Sequence, residues 1–195
     1  AVQTVNPPSG SVGSSQVAAS IITGQTALGA TPADTDELLI SDAGTLKRVD
    51  YSYLKSANTP SFLAYQSSNQ SISNNTTTTI TFDTEVYDTD NAFASNTFTV
   101  PSGEGGKYFF SFAVRVNNNT QNRLYAELVD GGGNSRALFE NGNGGAYDTV
   151  GGSVIISLSA SDTVVVKHYH NSGITNTTFS GANTTFFGGF KLIGV

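Results

Sequence analysis

Cysteine is absent from this chain, and charged residues and long apolar runs are scarce. Without thiols the fold has no disulfide, and thiol chemistry and thiolate metal sites are excluded. The net charge of −6 argues against nucleic acid as a partner, because phosphate binding needs clusters of Lys and Arg. No basic run suits an anionic membrane, and no stretch approaches the ~20 apolar residues that span a bilayer, so membrane insertion is not expected. The first residues also lack the pattern of a signal peptide.

Glycine, aromatic and small polar residues are abundant instead, with 21 Gly, 12 Phe and 8 Tyr among 195 residues. This composition is typical of an all-β protein with many turns, and it is too rich in aromatic and β-branched residues for disorder. The length suffices for one domain with a substantial core plus an extension.

Residues 106–116 form the longest uninterrupted strand pattern in the chain. Every second position is aromatic or β-branched, so these side chains share one face of the strand: Tyr108, Phe110, Phe112, Val114 and Val116. The opposite face, from Lys107 to Arg115, is mixed and mostly small or polar. An aromatic row of this length needs a facing sheet, which predicts the central strand of a β-sandwich.

The N-terminal part divides into an arm and a hairpin. Residues 1–33 are interrupted by Gly, Ser and Pro, and two interpretations remain: a flexible linker, or an ordered stalk that packs against copies of itself. Residues 34–58 predict a small β-hairpin module, with a turn at residues 41–44. A two-stranded hairpin is marginal in water, so its apolar side chains need another surface, for which symmetric neighbours are the natural source.

Residues 59–195, which we call the head, contain short strand patterns separated by Gly- and Asn-rich breaks. We predict nine strands, near residues 62–66, 77–82, 97–100, 107–116, 123–129, 135–139, 150–158, 162–170 and 185–193.

The head resembles the globular domain family typified by complement C1q, which shares its jelly roll with tumour necrosis factor. The family's aromatic signature is matched by Phe82, Asp88, Phe93, Phe98, Gly106, Tyr108, Phe110 and Phe112, with a loop shift of two residues around Phe98. Its closing motif, Asn-x-x-Phe-x-Gly-Phe, is similar to Asn183, Phe186, Gly188 and Phe190 with one extra residue, Gly189. The resemblance implies an all-β, ten-stranded C1q/TNF-like jelly-roll sandwich over residues 61–195.

The segment from Pro32 to Val49 is similar to a module of bacteriophage tail fibres and other virion appendages. Both resemblances imply a homotrimer. A fibre-type neck followed by a C1q-like head resembles a phage receptor-binding or virion-surface protein. On this basis residues 1–57 would contact other virion proteins.

His168 and His170 are the two histidines of the chain, at positions i and i+2 of a predicted strand, so both rings face one side. Around a three-fold axis such pairs would bring six imidazoles to one metal ion. No acidic partner is adjacent in sequence, so we expect no metal. An exposed strand end, or part of a glycan-facing patch, is favoured for both residues.

Nothing in the sequence supports catalysis. No Gly-x-Ser-x-Gly elbow occurs. The acidic pairs Asp83/Glu85 and Asp88/Asp90 are typical of solvated carboxylates or a structural cation, and sugar cleavage would also need a cleft. We therefore expect no enzyme and no cofactor.

The Asn-rich loops are the better candidates for binding a ligand. They join long strands and should be exposed, and amides beside an aromatic ring suit the hydroxyls and CH faces of sugars. The alternative is that Asn and Gly are there because they form turns. The candidate residues are Asn117, Asn118, Asn119, Asn143, Tyr147, Asp148 and His170.

These expectations combine into a trimeric phage tail-fibre or virion-spike protein. Its head would adhere to a glycan receptor on a host bacterium through the avidity of three copies. The protein would be assembled in the host cytoplasm as part of the virion and would act outside the cell. Two alternatives remain: a capsid or tail decoration protein with a purely structural role, and a soluble C1q-like lectin.

Overall fold

The chain forms two compact units, Ala1–Ser56 and Ala57–Val195. The computed structural model describes residue 8 and residues 17–54, 57–117, 123–141 and 147–193. Asn118, Asn119 and Asn143, which were predicted to bind a ligand, lie outside these described residues. No helix among the described residues is long and apolar enough to cross a membrane.

The described residues of the first unit form a short helix, a hairpin and a 3-10 turn. Helix α1 spans Ser20–Thr23, strands β1 and β2 span Glu37–Asp42 and Thr45–Asp50, and a 3-10 turn follows at Tyr51–Tyr53. Ala43 and Gly44 both have positive φ, at 49° and 81°, as a tight two-residue hairpin turn requires. None of the described residues of this unit is buried.

The described residues of the second unit form thirteen strands in two facing sheets. In chain order they are β3 (Ser61–Tyr65), β4 (Ser71–Ile72), β5 (Thr78–Thr79), β6 (Thr84–Asp88), β7 (Phe93–Ala94), β8 (Thr97–Thr99), β9 (Gly106–Asn117), β10 (Leu124–Asp130), β11 (Ser135–Asn141), β12 (Tyr147–Leu158), β13 (Thr163–His170), β14 (Asn176–Thr178) and β15 (Phe186–Lys191).

Most strands that are neighbours in a sheet are not consecutive in the chain, as in a jelly roll. The seven-stranded sheet follows the order β4-β14-β9-β15-β3-β6, and β12 pairs with β9 along its whole length. The six-stranded sheet follows the order β11-β10-β13-β8-β7, and β5 pairs with β13. All pairings are antiparallel.

The predicted aromatic row of β9 lies between the two sheets. Each of its five inward side chains, from Tyr108 to Val116, is at most 1% exposed. Across the sandwich, the ring of Phe98 on β8 lies 5.4 Å from that of Tyr108 and 5.3 Å from that of Phe110. The prediction of a central strand covered by a second sheet is therefore confirmed.

The acidic residue of the aromatic signature has a structural role. The carboxylate of Asp88, at the end of β6, accepts hydrogen bonds from the backbone N–H groups of Ala92 (3.0 Å) and Phe93 (2.8 Å). These bonds hold the loop that returns the chain to the core. The ring of Phe93 then stacks on that of Phe62 with 4.8 Å between centroids.

The closing strand is shifted by one residue from the predicted alignment. Phe187 is fully buried, whereas Phe186 and Phe190 lie on the outer face and are half-buried. The Phe-x-Gly-Phe part of the motif therefore corresponds to Phe187-Gly188-Gly189-Phe190, and the extra residue falls between Asn183 and Phe187. Gly189 is needed where it stands, because a Cβ there would lie 2.4 Å from the buried ring of Phe110 and 2.8 Å from the carbonyl oxygen of Phe109.

Candidate functional site

The end of β9 brings together residues from three strands. In the seven-stranded sheet Asn117 pairs with Tyr147 of β12 on one side and with Thr177 of β14 on the other. Arg115, two residues earlier, lies on the same outward face and pairs with Thr149. Just beyond β14, the N–H of Phe179 donates to the carbonyl oxygen of Arg115 (2.8 Å), which places the Phe179 ring beside β9.

The guanidinium of Arg115 is held by two aromatic rings. It lies 5.2 Å from the centroid of Tyr147 and 5.5 Å from that of Phe179. The two rings contact each other edge to face, with 5.1 Å between centroids and 77° between planes. Cation–π contacts of this kind hold a guanidinium in place and leave its N–H edges available as donors. We call Arg115, Asn117, Tyr147 and Phe179 the Arg115 cluster.

Arg115 differs from the other arginines in its electrostatic surroundings. Arg48, Arg123 and Arg136 pair with Glu37, Glu140 and Asp130 at 2.6, 2.9 and 3.3 Å. Among the described residues no carboxylate pairs with Arg115, and the segments outside them contain no Asp or Glu. The cluster is therefore a site of uncompensated positive charge on an acidic protein.

The structure brings together two of the predicted ligand-binding residues and separates two others from them. Asn117 is exposed, and Tyr147 beside it is 56% exposed, so both lie on the surface as predicted. Asp148 points to the opposite face of β12, is 6% exposed and accepts a hydrogen bond from Asn141 Nδ2 at 3.4 Å. The prediction that Asp148 is an exposed loop residue is therefore wrong.

The exposed position expected for His168 and His170 is also wrong. Alternate residues of β13 face the core, and both histidines fall on that face, with exposures of 0% and 1%. His170 Nε2 lies 3.0 Å from the carbonyl oxygen of Ile72, and Nδ1 lies 2.9 Å from the Ser172 hydroxyl. Both ring nitrogens of His170 are thus engaged inside one subunit.

His168 has different surroundings from His170, although the two ring centroids are only 6.1 Å apart. Among the described residues, neither ring nitrogen of His168 makes a hydrogen bond of good geometry. Burial, together with the neighbouring His170, lowers the pKa of His168 to about 3, although the nearby backbone of Tyr125 opposes this lowering. The ring is therefore neutral at physiological pH and acts as a core side chain.

Asp83, which was singled out in the sequence, holds a turn, and Asp130, which was not, does the same. Asp83 accepts hydrogen bonds from the N–H (2.7 Å) and hydroxyl (2.8 Å) of Ser67, and the N–H bond is the main reason that its pKa is lowered. Asp130 accepts from the N–H of Asn134 at 2.9 Å, which likewise lowers the pKa of Asp130. Across the described parts of the chain, no group of three or more His, Asp or Glu side chains is placed to hold a metal ion.

A second surface feature lies on the outer face of the seven-stranded sheet. Here β9 contributes Phe109, and neighbouring strands add further apolar side chains: Leu63, Tyr87, Ile155, Phe186 and Phe190. The rings of Phe109 and Phe190 lie 5.3 Å apart, while Tyr87 and Ile155 are 47% and 57% exposed. We call these six residues the outer apolar patch. A depression of about 170 Å³ lies within it.

Comparison with known proteins agrees with this geometry. The sequence profile of the C1q domain matches residues 61–192, more than half of the chain. The fold is an all-β jelly-roll sandwich of the C1q and tumour necrosis factor type, and the chain belongs to the C1q domain family.

Solved structures share this fold at low sequence identity. The globular domain of zebrafish complement 1qA protein is 19% identical, with 68% of this chain and 97% of that chain covered at a TM-score of 0.50. Murine APRIL at pH 8.0 is 14% identical, with coverage of 68% and 98% and a TM-score of 0.55. Eiger TNF from S. frugiperda is 10% identical, with coverage of 69% and 93% and a TM-score of 0.52. A search of curated proteins gave no match.

Sequence reasoning missed two members of the Arg115 cluster, Arg115 and Phe179. Arg115 was placed on the outward face of β9, but nothing local indicates which rings would surround it. Phe179 is 64 residues away in sequence and reaches β9 only through the pairing of β14. One available signal was that an Arg on the outward face of a long strand has no acidic residue near it in sequence.

Proposed function

We propose that this chain is a homotrimeric, non-enzymatic recognition protein whose C1q head adheres to a saccharide on a cell surface. We assign it to a phage tail fibre or virion spike that attaches to a bacterial host. The resemblance of the segment from Pro32 to Val49 to a tail-fibre module supports the virion setting.

The outer apolar patch is the observation that supports trimer formation. Monomeric proteins rarely leave a contiguous aromatic surface of this kind in water. Covering it with the same sheet of two other copies would remove this surface from solvent, with a gain of ~25 cal/mol for each Å² of apolar area buried.

The first unit supports the same assembly. Leu38 and Ile40 lie on one face of its hairpin, whereas Leu39 lies on the other, where Leu46 also projects. Leu39 and Leu46 are 75% and 71% exposed. A hairpin that carries apolar side chains on both faces cannot cover them itself, and neighbouring copies are a source of the missing surface.

The trimer is tested by light scattering coupled to size exclusion at micromolar concentration. Ile155→Glu places a charge in the outer apolar patch, and we expect it to shift the mass from three chains towards one. Leu138→Glu is the matched control, since Leu138 is 44% exposed on the other sheet. A wild-type protein with the mass of one chain would overturn the trimer.

Adhesion is tested by binding the purified trimer to a panel of bacterial cells. We expect saturable binding to some strains, and its loss after the surface polysaccharide is removed. A trimer that binds none of the strains would instead favour the purely structural role of a decoration protein.

A further inference from the structure

We propose that the Arg115 cluster is the saccharide site of the head and that it selects sugars bearing a carboxylate. This inference rests on the proposed adhesion and names both the site and the ligand class. It assigns the recognition of the carboxylate to Arg115 and the contact with the sugar ring to Tyr147.

Arg115 is a local positive charge on an acidic protein. The chain has a net charge of −6, so its surface repels anions unless a local cation compensates. Among the described residues Arg115 has no carboxylate partner, whereas each of the other arginines has one. Two rings fix its guanidinium, so little side-chain entropy is lost on binding, and the planar fork can donate two parallel hydrogen bonds to one carboxylate.

The surroundings of Arg115 suit a sugar better than a simple anion. The Tyr147 ring is 56% exposed and offers a surface for the CH face of a pyranose. Asn117 and Thr149, which flank Arg115 on the same face, supply an amide and a hydroxyl that can donate to and accept from sugar hydroxyls. A uronic or sialic acid matches these groups: its CH face suits the aromatic ring, its hydroxyls suit the neutral polar groups, and its carboxylate suits the guanidinium.

The position of the cluster is compatible with the proposed trimer. Arg115 and Phe109 are six residues apart on β9, a distance of ~20 Å along an extended strand. Phe186, the patch residue nearest to the cluster, pairs with Ala113, two residues from Arg115 on the same face, so the cluster lies at the margin of the outer apolar patch. Three copies would present three such sites at the same end of the assembly, and simultaneous contact would raise the avidity for a repeating polysaccharide.

The test uses the full-length protein and a saccharide panel. The probes are immobilised oligosaccharides ending in glucuronic, galacturonic or sialic acid, each paired with its carboxyl-reduced counterpart. We expect binding to acidic members and at least a tenfold loss in affinity on carboxyl reduction, the size expected for losing a hydrogen bond between charged groups.

Variants tie this preference to the site. Arg115→Gln should weaken binding of the acidic probes at least tenfold, whereas Arg136→Gln, on the other sheet, should leave it unchanged. Arg115→Lys keeps the charge but loses the planar guanidinium that can donate two parallel hydrogen bonds, so we expect an intermediate affinity for the acidic probes. It also serves as the test if Arg115→Gln fails to fold, which denaturation midpoints will reveal.

The outcomes separate this inference from the proposed function. Binding of neutral and acidic probes with equal affinity, or acidic binding that survives both changes at Arg115, would overturn the assignment of the site but leave adhesion standing. Failure of the wild-type trimer to bind any saccharide of the panel or any bacterial strain would overturn both.

Discussion

At the scale of single residues, His168 makes stability depend on pH. Its folded-state pKa of about 3 lies below the value of about 6.5 for an unfolded chain, so the unfolded state binds the proton more readily. The folded state therefore has its full stability above pH 6.5 and loses it progressively as the pH falls towards 3. Between pH 7 and pH 4 we expect a loss of about 3 kcal/mol from this residue.

The measurement is chemical denaturation of the wild type and of His168→Leu at several pH values. The variant removes the titrating group, so its free energy of unfolding should fall less steeply with acid. Comparing the two slopes cancels the fixed cost of the substitution and the titration of groups that do not interact with His168. Parallel slopes for the two proteins would show that His168 is not the source of the pH dependence.

Asp88 is the second residue whose role can be measured. Asp88→Ala removes the acceptor for the N–H groups of Ala92 and Phe93, and we expect a loss of about 1.5–3 kcal/mol in the free energy of unfolding. Asp88→Asn keeps one acceptor oxygen and should lose less. Urea denaturation compares the two, and equal losses would mean that the hydrogen bonds do not stabilise the loop.

At the scale of elements, the closing strand β15 requires glycine at position 189. Gly189→Ala on β15 would press a methyl group against the buried ring of Phe110, and we expect a destabilisation of about 1–3 kcal/mol from overpacking. Gly105→Ala is the matched control, because a Cβ there meets other atoms only at ordinary contact distances of 3.6 Å or more. Thermal or urea midpoints that fall equally in the two variants would contradict this account.

All the long strands were predicted from sequence, as were the shorter β3, β5 and β8, while four other short strands were not. The alternation in β9 spans several residues and identifies its buried face without further information. The missed strands are β4, β6, β7 and β14. In β6 and β14, residues such as Glu85 and Thr177 lack an apolar period and are extended through pairing with β3 and β9. The one-residue shift at Phe186 and Phe187 has a similar cause, since two adjacent phenylalanines leave the inward face undecided.

The candidate site was only partly predictable for a related reason. Asn117 and Tyr147 were correctly placed on the surface because they flank loops. Asp148 and His170 were expected there from their polarity, but strand alternation turns both inward, and His170 satisfies its nitrogens through Ile72 and Ser172. Polarity alone does not indicate exposure when a buried hydrogen-bond network is available.

At the scale of the whole molecule, the two units should differ in their ability to fold alone. Residues 57–195 contain every buried residue among the described parts of the chain. We expect this fragment to unfold in one cooperative transition, with well-dispersed amide resonances. Residues 1–56 alone should give the spectrum of a largely unfolded chain. A folded monomer of residues 1–56 would contradict the view that the hairpin needs neighbouring copies.

The pairing of β3 with β15 determines which end of the head is suited to attachment and which end carries Arg115. The N–H of Lys191 donates to the carbonyl oxygen of Pro60 at 3.0 Å, so the start of β3 and the end of β15 lie side by side. Tyr108 pairs with Lys191 there, and Arg115 lies ~23 Å further along β9. A head attached to a sensor chip or inserted into a carrier protein at this end would present the guanidinium of Arg115 at its opposite end, facing the solution.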